Sequence, residues 1–476
     1  MKKHGLLKTL GILLLLIVVV SFILPGRQDI VDYIGLGDVL VNYFSIVLQN
    51  FCYVVLFVLA VGGFYGVLNK TPAYKKLVDN IVSKVKPTGK KFVFVTILVF
   101  AVVASLTGMT LQLMIFVPFV ATIILLLGYD KLVAISSTVV SIMVGYIGGV
   151  FVTFLNPNTY TITTYESFLG VKNKLGNTEP KLLLLFTGIA LLIYFVNRHI
   201  KSVEEKKVKY ELNEDSELMI HEIKGDYKEI KTWPLIVVMA FIFVILTLGM
   251  IPWESLFEIK IFADFHLWLT GLSIKGFAII PNIISESMPA FGAWNGNGNP
   301  MEIYVYTSML LLFATTLITL FNKIKFNEAI NSFVEGMKKT LPAAVLITIA
   351  YTVLVCVYNN GFFEGIIADY GKFNFGLSSL LAFLGTILHV DTTWIILGAY
   401  TPIINLITDD AIYSSVAVLL QGIYGITSLI GPTSLILIFA LSYMDIPYTT
   451  YLKYIWRFIL SLVILLALVT LLVVLL

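Results

Sequence analysis

The chain of 476 residues has little charge and almost no cysteine. Only 13% of it is Asp, Glu, Lys or Arg, and it holds two cysteines and five histidines. Cys52 and Cys356 each fall within an apolar stretch with no second thiol nearby. That implies neither a disulfide nor a metal site and predicts two small buried side chains. No His/Cys/Glu cluster has metal spacing, and there is no nucleophile elbow and no phosphate-cradling P-loop. Enzymatic chemistry and direct use of ATP therefore have no basis in the sequence, and no cofactor is implied. A basic domain and aromatic-basic interleaving are also missing, which argues against nucleic acid as a partner. Apolar residues make up 58% of the chain, and that places it in the lipid bilayer.

Lys2, Lys3 and Lys8 precede an apolar run from Gly11 to Leu24. No small-x-small cleavage site follows, so the run reads as an uncleaved first span. Roughly nine spans follow from the apolar pattern, at about 7–24, 42–66, 132–155, 181–197, 233–251, 303–321, 341–358, 411–442 and 456–476. Two further apolar stretches, 92–127 and 376–407, are too long for one helix and break near their centres. These predict re-entrant helical hairpins, the simpler alternative being two ordinary spans or a span with a polar loop.

Lysine placement gives an orientation. Residues 69–91 hold seven lysines and one acid, and the N-terminus and the 322–340 and 444–457 connectors are also basic, which predicts that they are cytoplasmic. The connectors 25–41, 156–180, 252–302 and 359–375 are poor in basic residues and read as external. This assignment works only if 92–127 enters and returns on the inside and 376–407 on the outside. The two halves then run in opposite directions. The expected fold is an all-α multi-pass membrane protein with two inverted-topology repeats. Residues 1–198 form the first, 199–231 a cytoplasmic linker carrying His221, 232–302 a connecting helix and external interfacial segment with Trp253, Trp268 and Trp294, and 303–476 the second.

The repeats also agree in detail. Each holds an apolar span ending in Gly-Phe-aromatic (Gly63-Phe64-Tyr65 and Gly361-Phe362-Phe363). Each closes on a span that breaks, from Ala134 to Asn156-Pro157-Asn158-Thr159, and from Ala411 through Gln421, Thr427-Ser428 and Gly431-Pro432-Thr433-Ser434. Proline removes a donor and glycine loosens the backbone, so freed amides and carbonyls there can meet a ligand. Polar backbone survives in lipid only where it is buried or lines a cavity, and paired breaks in two halves point to a transporter binding site. The alternative is kinked helices satisfied by their neighbours. The hairpin tips supply the other candidates: Ser105, Thr107, Gly108, Thr110 and Gln112 in the first, and His389, Asp391, Thr392 and Thr393 in the second. A carboxylate in mid-bilayer costs about 2.5–3.5 kcal/mol, so Asp391 is the most expensive of them and marks a water-filled cavity unless its tip lies near the surface. His389 titrates near neutrality and could relay protons, although a lone histidine is more often structural.

Several stretches, in order along nearly the whole chain, resemble the YfcC-like carriers, relatives of the anaerobic C4-dicarboxylate carriers. They are Val61-Gly62-Gly63-Phe64-Tyr65-Gly66-Val67-Leu68 with Lys70-Thr71, Leu127-Gly128-Tyr129-Asp130, the run from Asp264 to Phe277, Ala290-Phe291-Gly292-Ala293-Trp294, Gln421, Gly431-Pro432-Thr433-Ser434, and Ile446-Pro447-Tyr448 before Tyr451-Leu452-Lys453. The resemblance implies inverted repeats, two re-entrant hairpins, alternating access driven by a cation gradient, and small carboxylates or amino acids as substrates. Two departures stand out. Where the family often has Gly-Met-Ala-Glu-Glu, this chain has Gly108-Met109-Thr110-Leu111-Gln112. Where it often has a Ser/Gly-rich second tip, this chain has His389-Val390-Asp391-Thr392-Thr393.

The sequence is thus read as a secondary transporter of a small carboxylate or amino acid, coupled to H⁺ or Na⁺ or working by exchange. It would sit in the cell membrane with its N-terminus inside and could pair as a homodimer. A passive channel would need a continuous polar stripe along several spans, and a non-transporting scaffold would leave the paired breaks unexplained.

Overall fold

Long uninterrupted apolar runs leave the backbone one way to satisfy itself in lipid, and helices dominate the structure accordingly. The computed structural model describes residues 5–24, 33–156, 161–171, 177–207, 230–251, 253–283 and 300–475. In chain order these form α1 (Gly5–Ile23), α2 (Asp38–Asn50), α3 (Cys52–Leu68), α4 (Pro72–Val85), α5 (Gly89–Thr107), α6 (Val117–Leu126) and α7 (Lys131–Ile147). A two-stranded ribbon follows, β1 (Thr153–Asn156) antiparallel to β2 (Thr161–Thr164), and then α8 (Tyr165–Phe168), α9 (Thr178–Glu204) and α10 (Trp233–Met250). The second half holds α11 (Pro300–Phe321), α12 (Phe326–Asn360), α13 (Phe362–Asp369), α14 (Phe375–His389), α15 (Thr392–Ile404), α16 (Tyr413–Ser428), α17 (Leu435–Tyr443) and α18 (Tyr448–Leu475). Among the described residues eight helices are long and apolar enough to cross a membrane, and nine if α2 and α3, bent by 63° at Phe51, count as one span. The chain is an all-α multi-pass membrane protein.

Helix α3 crosses α12, α5 packs on α7 and α14 on α16, α7 packs on α9 and α16 on α18, and α7 meets α16 in the middle. The α3–α12 crossing is backbone on backbone. A Cβ on Gly66 would stand 2.1 Å from the Ser332 carbonyl oxygen, and one on Gly336 would stand 2.1 Å from that of Gly62. Small residues let helices approach this closely where lipid supplies no hydrophobic drive between them.

Burial separates an inner layer from an outer one. In α16, 78% of the membrane-length window is buried, against 28% in α1 and α10. Residues 131–147 of α7 are buried throughout, although they include Lys131, Ser136, Ser137, Thr138 and Ser141. The hydroxyls are satisfied locally: Ser137 donates to Val133 O, Thr138 to Ala134 O and Ser141 to Ser136 O. Packed against protein on every side, α7 leaves no face to lipid and forms part of the core.

Several details depart from the sequence reading. The expected span 132–155 ends as a helix at Ile147, because Gly148 and Gly149 follow, and Asn156 lies on β1. Asn158 and Thr159 lie outside the described residues, as do His221 and Trp294. The expected span 411–442 is two helices with the break at 429–434 between them. The first hairpin is unequal: α5 alone has 19 residues and α6 has 10. Residues 199–204, placed in the linker by the sequence, continue α9. Cys356 is buried, but Cys52 is exposed, because it opens α3 beside the bend at Phe51.

Candidate functional site

The two hairpin tips face one cavity of about 670 Å³. The first tip contributes Gly108, Thr110 and Gln112, and the second contributes Asp391, Thr392, Thr393 and Trp394. The bend at Phe51 brings Asn50, Phe51 and Tyr53 to the same space, and Tyr146, Phe154, Tyr304, Tyr358 and Asn359 complete much of the wall.

Each tip turns at a residue of positive φ. Thr107 ends α5 and Gly108 follows at φ +68°. His389 ends α14 and Val390 follows at φ +64°, ψ −61°, with the Asp391 amide donating back to His389 O at 2.7 Å, a γ-turn. Glycine takes positive φ at no steric cost, but a β-branched residue is strained there. The turn sets Asp391 at the N-cap of α15. Its Oδ1 accepts from the Trp394 amide at 3.3 Å and its Oδ2 from the Tyr351 hydroxyl at 3.1 Å. Phe51 stacks on Tyr351 with ring centroids 4.2 Å apart and meets Trp394 edge-on at 5.8 Å, and Tyr358 closes on Trp394 at 4.7 Å. The carboxylate is thus held from behind by two donors and flanked by aromatic rings. Its half-buried side chain is the only Asp, Glu, Lys, Arg or His among the described residues lining the cavity.

The remaining candidates lie behind this surface. Ser105 donates to Gly148 O at 3.1 Å, and the Phe151 amide returns a bond to Ser105 O at 3.3 Å. Thr107 donates to Val103 O. Gln421 donates its amide to Tyr146 O and Gly149 O, both at 2.9 Å, where α7 ends, and so adds a second donor to the Tyr146 carbonyl, which also accepts from the Gly149 amide at 3.0 Å. Thr433 donates to Ile387 O at 2.6 Å, and Ser434 caps α17 by accepting from the Leu437 amide. Thr427 and Ser428 are buried at the end of α16. His389 is buried as well, with Nδ1 donating to Gly385 O at 2.8 Å and its ring 5.7 Å from that of Phe363. Each break is therefore fastened to the hairpin of its own half, the first through Ser105 and the second through Thr433. Among the described residues no group of three or more His, Cys, Asp or Glu could hold a metal ion.

Sequence reasoning missed the aromatic wall. Phe51, Tyr53, Tyr304, Tyr351 and Tyr358 lie in runs whose apolar character already explains them, and the bend at Phe51 has neither glycine nor proline to announce it. Broken helices buried at the centre of the bundle, with two tips on one cavity between them, define the class: a multi-pass membrane carrier, not an enzyme. The family model of the C4-dicarboxylate anaerobic carriers, DcuC, matches residues 47–475, and the chain belongs to that family. No curated protein matches it significantly. The solved structure titled "Crystal structure of the Alcanivorax borkumensis YdaH transporter reveals an unusual topology" aligns over 98% of this chain and 98% of its own, at 14% identity and a TM-score of 0.40.

Proposed function

We propose that the chain is a secondary carrier for a small carboxylate that also bears an amino group, coupled to H⁺ or Na⁺ or working by exchange. The observation that carries this reading is the single carboxylate of Asp391 in a cavity with no described Lys, Arg or His in its lining. Two like charges about 4 Å apart repel by about 4 kcal/mol at an effective dielectric of about 20. A simple dicarboxylate, the substrate named in the family's description, would meet that repulsion with no basic side chain to offset it. An ammonium group would be attracted to Asp391 and to the rings around it. The neutral amides and hydroxyls of Asn50, Thr110, Gln112, Asn359 and Thr392 are donors suited to the substrate's carboxylate. A second use of Asp391, as the seat of the coupling cation, is supported by the same geometry.

Asp391→Asn separates the two. If Asp391 pairs the substrate's ammonium, the variant binds amino acids more weakly and simple acids more tightly. If it seats the coupling ion, gradient-driven accumulation fails while exchange across equal gradients survives. Unchanged affinity, selectivity and ion dependence would remove Asp391 from the site.

The alternating-access framework of this proposal comprises two inverted repeats, residues 1–198 and 303–476, with hairpins re-entering from opposite sides and the N-terminus in the cytoplasm. The matched packing of the two halves and the lysine distribution support it. Under it, a cysteine replacing Asn80 reacts with an impermeant reagent only from the cytoplasm and one replacing Tyr370 only from outside. Labelling from one common side would reject the inverted arrangement.

A further inference from the structure

Helices α9 (Thr178–Glu204) and α18 (Tyr448–Leu475) lie side by side, and a groove of about 480 Å³ opens between them that shares no lining residue with the central cavity. Arg198 and His199 enter it from α9, and Lys453 and Arg457 from α18. No Asp or Glu is among its described lining residues. His199 is held by Asp130, Nε2 to Oδ2 at 2.9 Å, and that carboxylate is buried and also caps α7 through the Val133 amide. Arg198, Lys453 and Arg457 are exposed, and among the described residues none of them pairs with a carboxylate. Arg457 lies over the Trp456 ring, 5.3 Å from its centroid, and Tyr194 and Trp456 are 68% and 53% exposed.

We propose that this groove binds the phosphate of an anionic phospholipid headgroup. Three lines of chemistry converge on that occupant. The planar forks of two guanidiniums match phosphate oxygens, and Lys453 adds a point charge beside them. Exposed Trp and Tyr are the side chains that settle at headgroup depth. Beyond the basic cluster α18 turns Leu460, Val463 and Ile464 outward, an apolar strip along which an acyl chain can lie. A free phosphate would use the first feature and gain nothing from the other two. Basic pockets between membrane helices on the cytoplasmic side are suited to anionic headgroups, and the orientation proposed above, with the end of α9 and the start of α18 on that side, puts the groove at that level. The proposal is independent of what the central cavity carries.

The test uses the purified full-length protein in detergent, with its thermal midpoint followed while phosphatidylglycerol, phosphatidylcholine or free glycerol phosphate is added. Phosphatidylglycerol should raise the midpoint and phosphatidylcholine should not. The triple substitution Arg198→Gln, Lys453→Gln, Arg457→Gln should shift half-saturation by phosphatidylglycerol at least tenfold. Arg198→Lys, which keeps the charge, should retain most of the response. Equal stabilisation by the two lipids, an unaltered response in the triple variant, or an equal effect of glycerol phosphate at matched concentration would each overturn it. So would a triple variant destabilised to the same extent in every lipid, the result expected if the acidic stretch 211–217 or a second copy of the chain fills the groove.

Discussion

The two hairpin tips meet one cavity and bring it opposite chemistry. In both, a helix ends and the next residue turns at positive φ, Gly108 at +68° and Val390 at +64°. The first turn is made by the residue that takes it at no steric cost, and neutral Thr110 and Gln112 follow. The second is made by valine, in a conformation of a kind that costs about 1–3 kcal/mol, and delivers Asp391. The strained tip is therefore also the charged one. A strained turn persists only where its surroundings over-determine it, and here Tyr351, the Trp394 amide and the His389 carbonyl do so. The difference suggests that the first tip mainly closes the cavity and the second selects what enters.

Five substitutions would break or sharpen that contrast. The largest effect belongs to Asp391→Asn, expected to lower uptake of the carried substrate by about 10–150-fold, the equivalent of a charged hydrogen bond worth about 1.5–3 kcal/mol. Gln112→Leu on the other tip should cost far less, about 2–10-fold, and equal losses at both would erase the distinction. Next, Gln421→Leu removes the side-chain donor from two carbonyls, one of which keeps the Gly149 amide, so it should destabilise the protein by about 1–3 kcal/mol in a thermal melt while leaving substrate affinity nearly unchanged. Tyr351→Phe removes one donor from Asp391 and should weaken binding by about 0.5–1.5 kcal/mol, read by titration. The smallest effect is Val390→Gly, where relief of strain and added freedom oppose each other. Stability should move by less than about 1 kcal/mol, and protease cleavage near residue 390 should become faster than in the parent. A loss of several kcal/mol there would show that the valine side chain holds the tip through its packing.

Much of this plan was legible because bilayers punish irregular backbone. The breaks at Gly108 and at 429–434 could be located from Gly, Pro and hydroxyl runs inside apolar stretches, and Asp391 from its cost alone. The end of α7 was misplaced by eight residues because Asn156-Pro157-Asn158 is a louder signal than Gly148-Gly149, which is equally at home in a packed membrane helix. The roles within the breaks were not legible. Whether Gln421 faces a ligand or a neighbouring carbonyl depends on Tyr146, which is 275 residues away in the chain. Nor could hydropathy distinguish the tyrosines that line the cavity from those that only fill space.

That distance also bears on how the protein is made. Helix α7 emerges from the ribosome buried-side-out on every face, and Gln421, whose amide will donate to the Tyr146 and Gly149 carbonyls, does not yet exist. At about 5–20 residues per second, 275 residues take about 14–55 s to synthesise. For that interval the first half has its outer helices but lacks the second half of its core. A nascent chain truncated before residue 413 should therefore stay open to proteases and quality-control factors in the membrane, and one truncated after α16 should not.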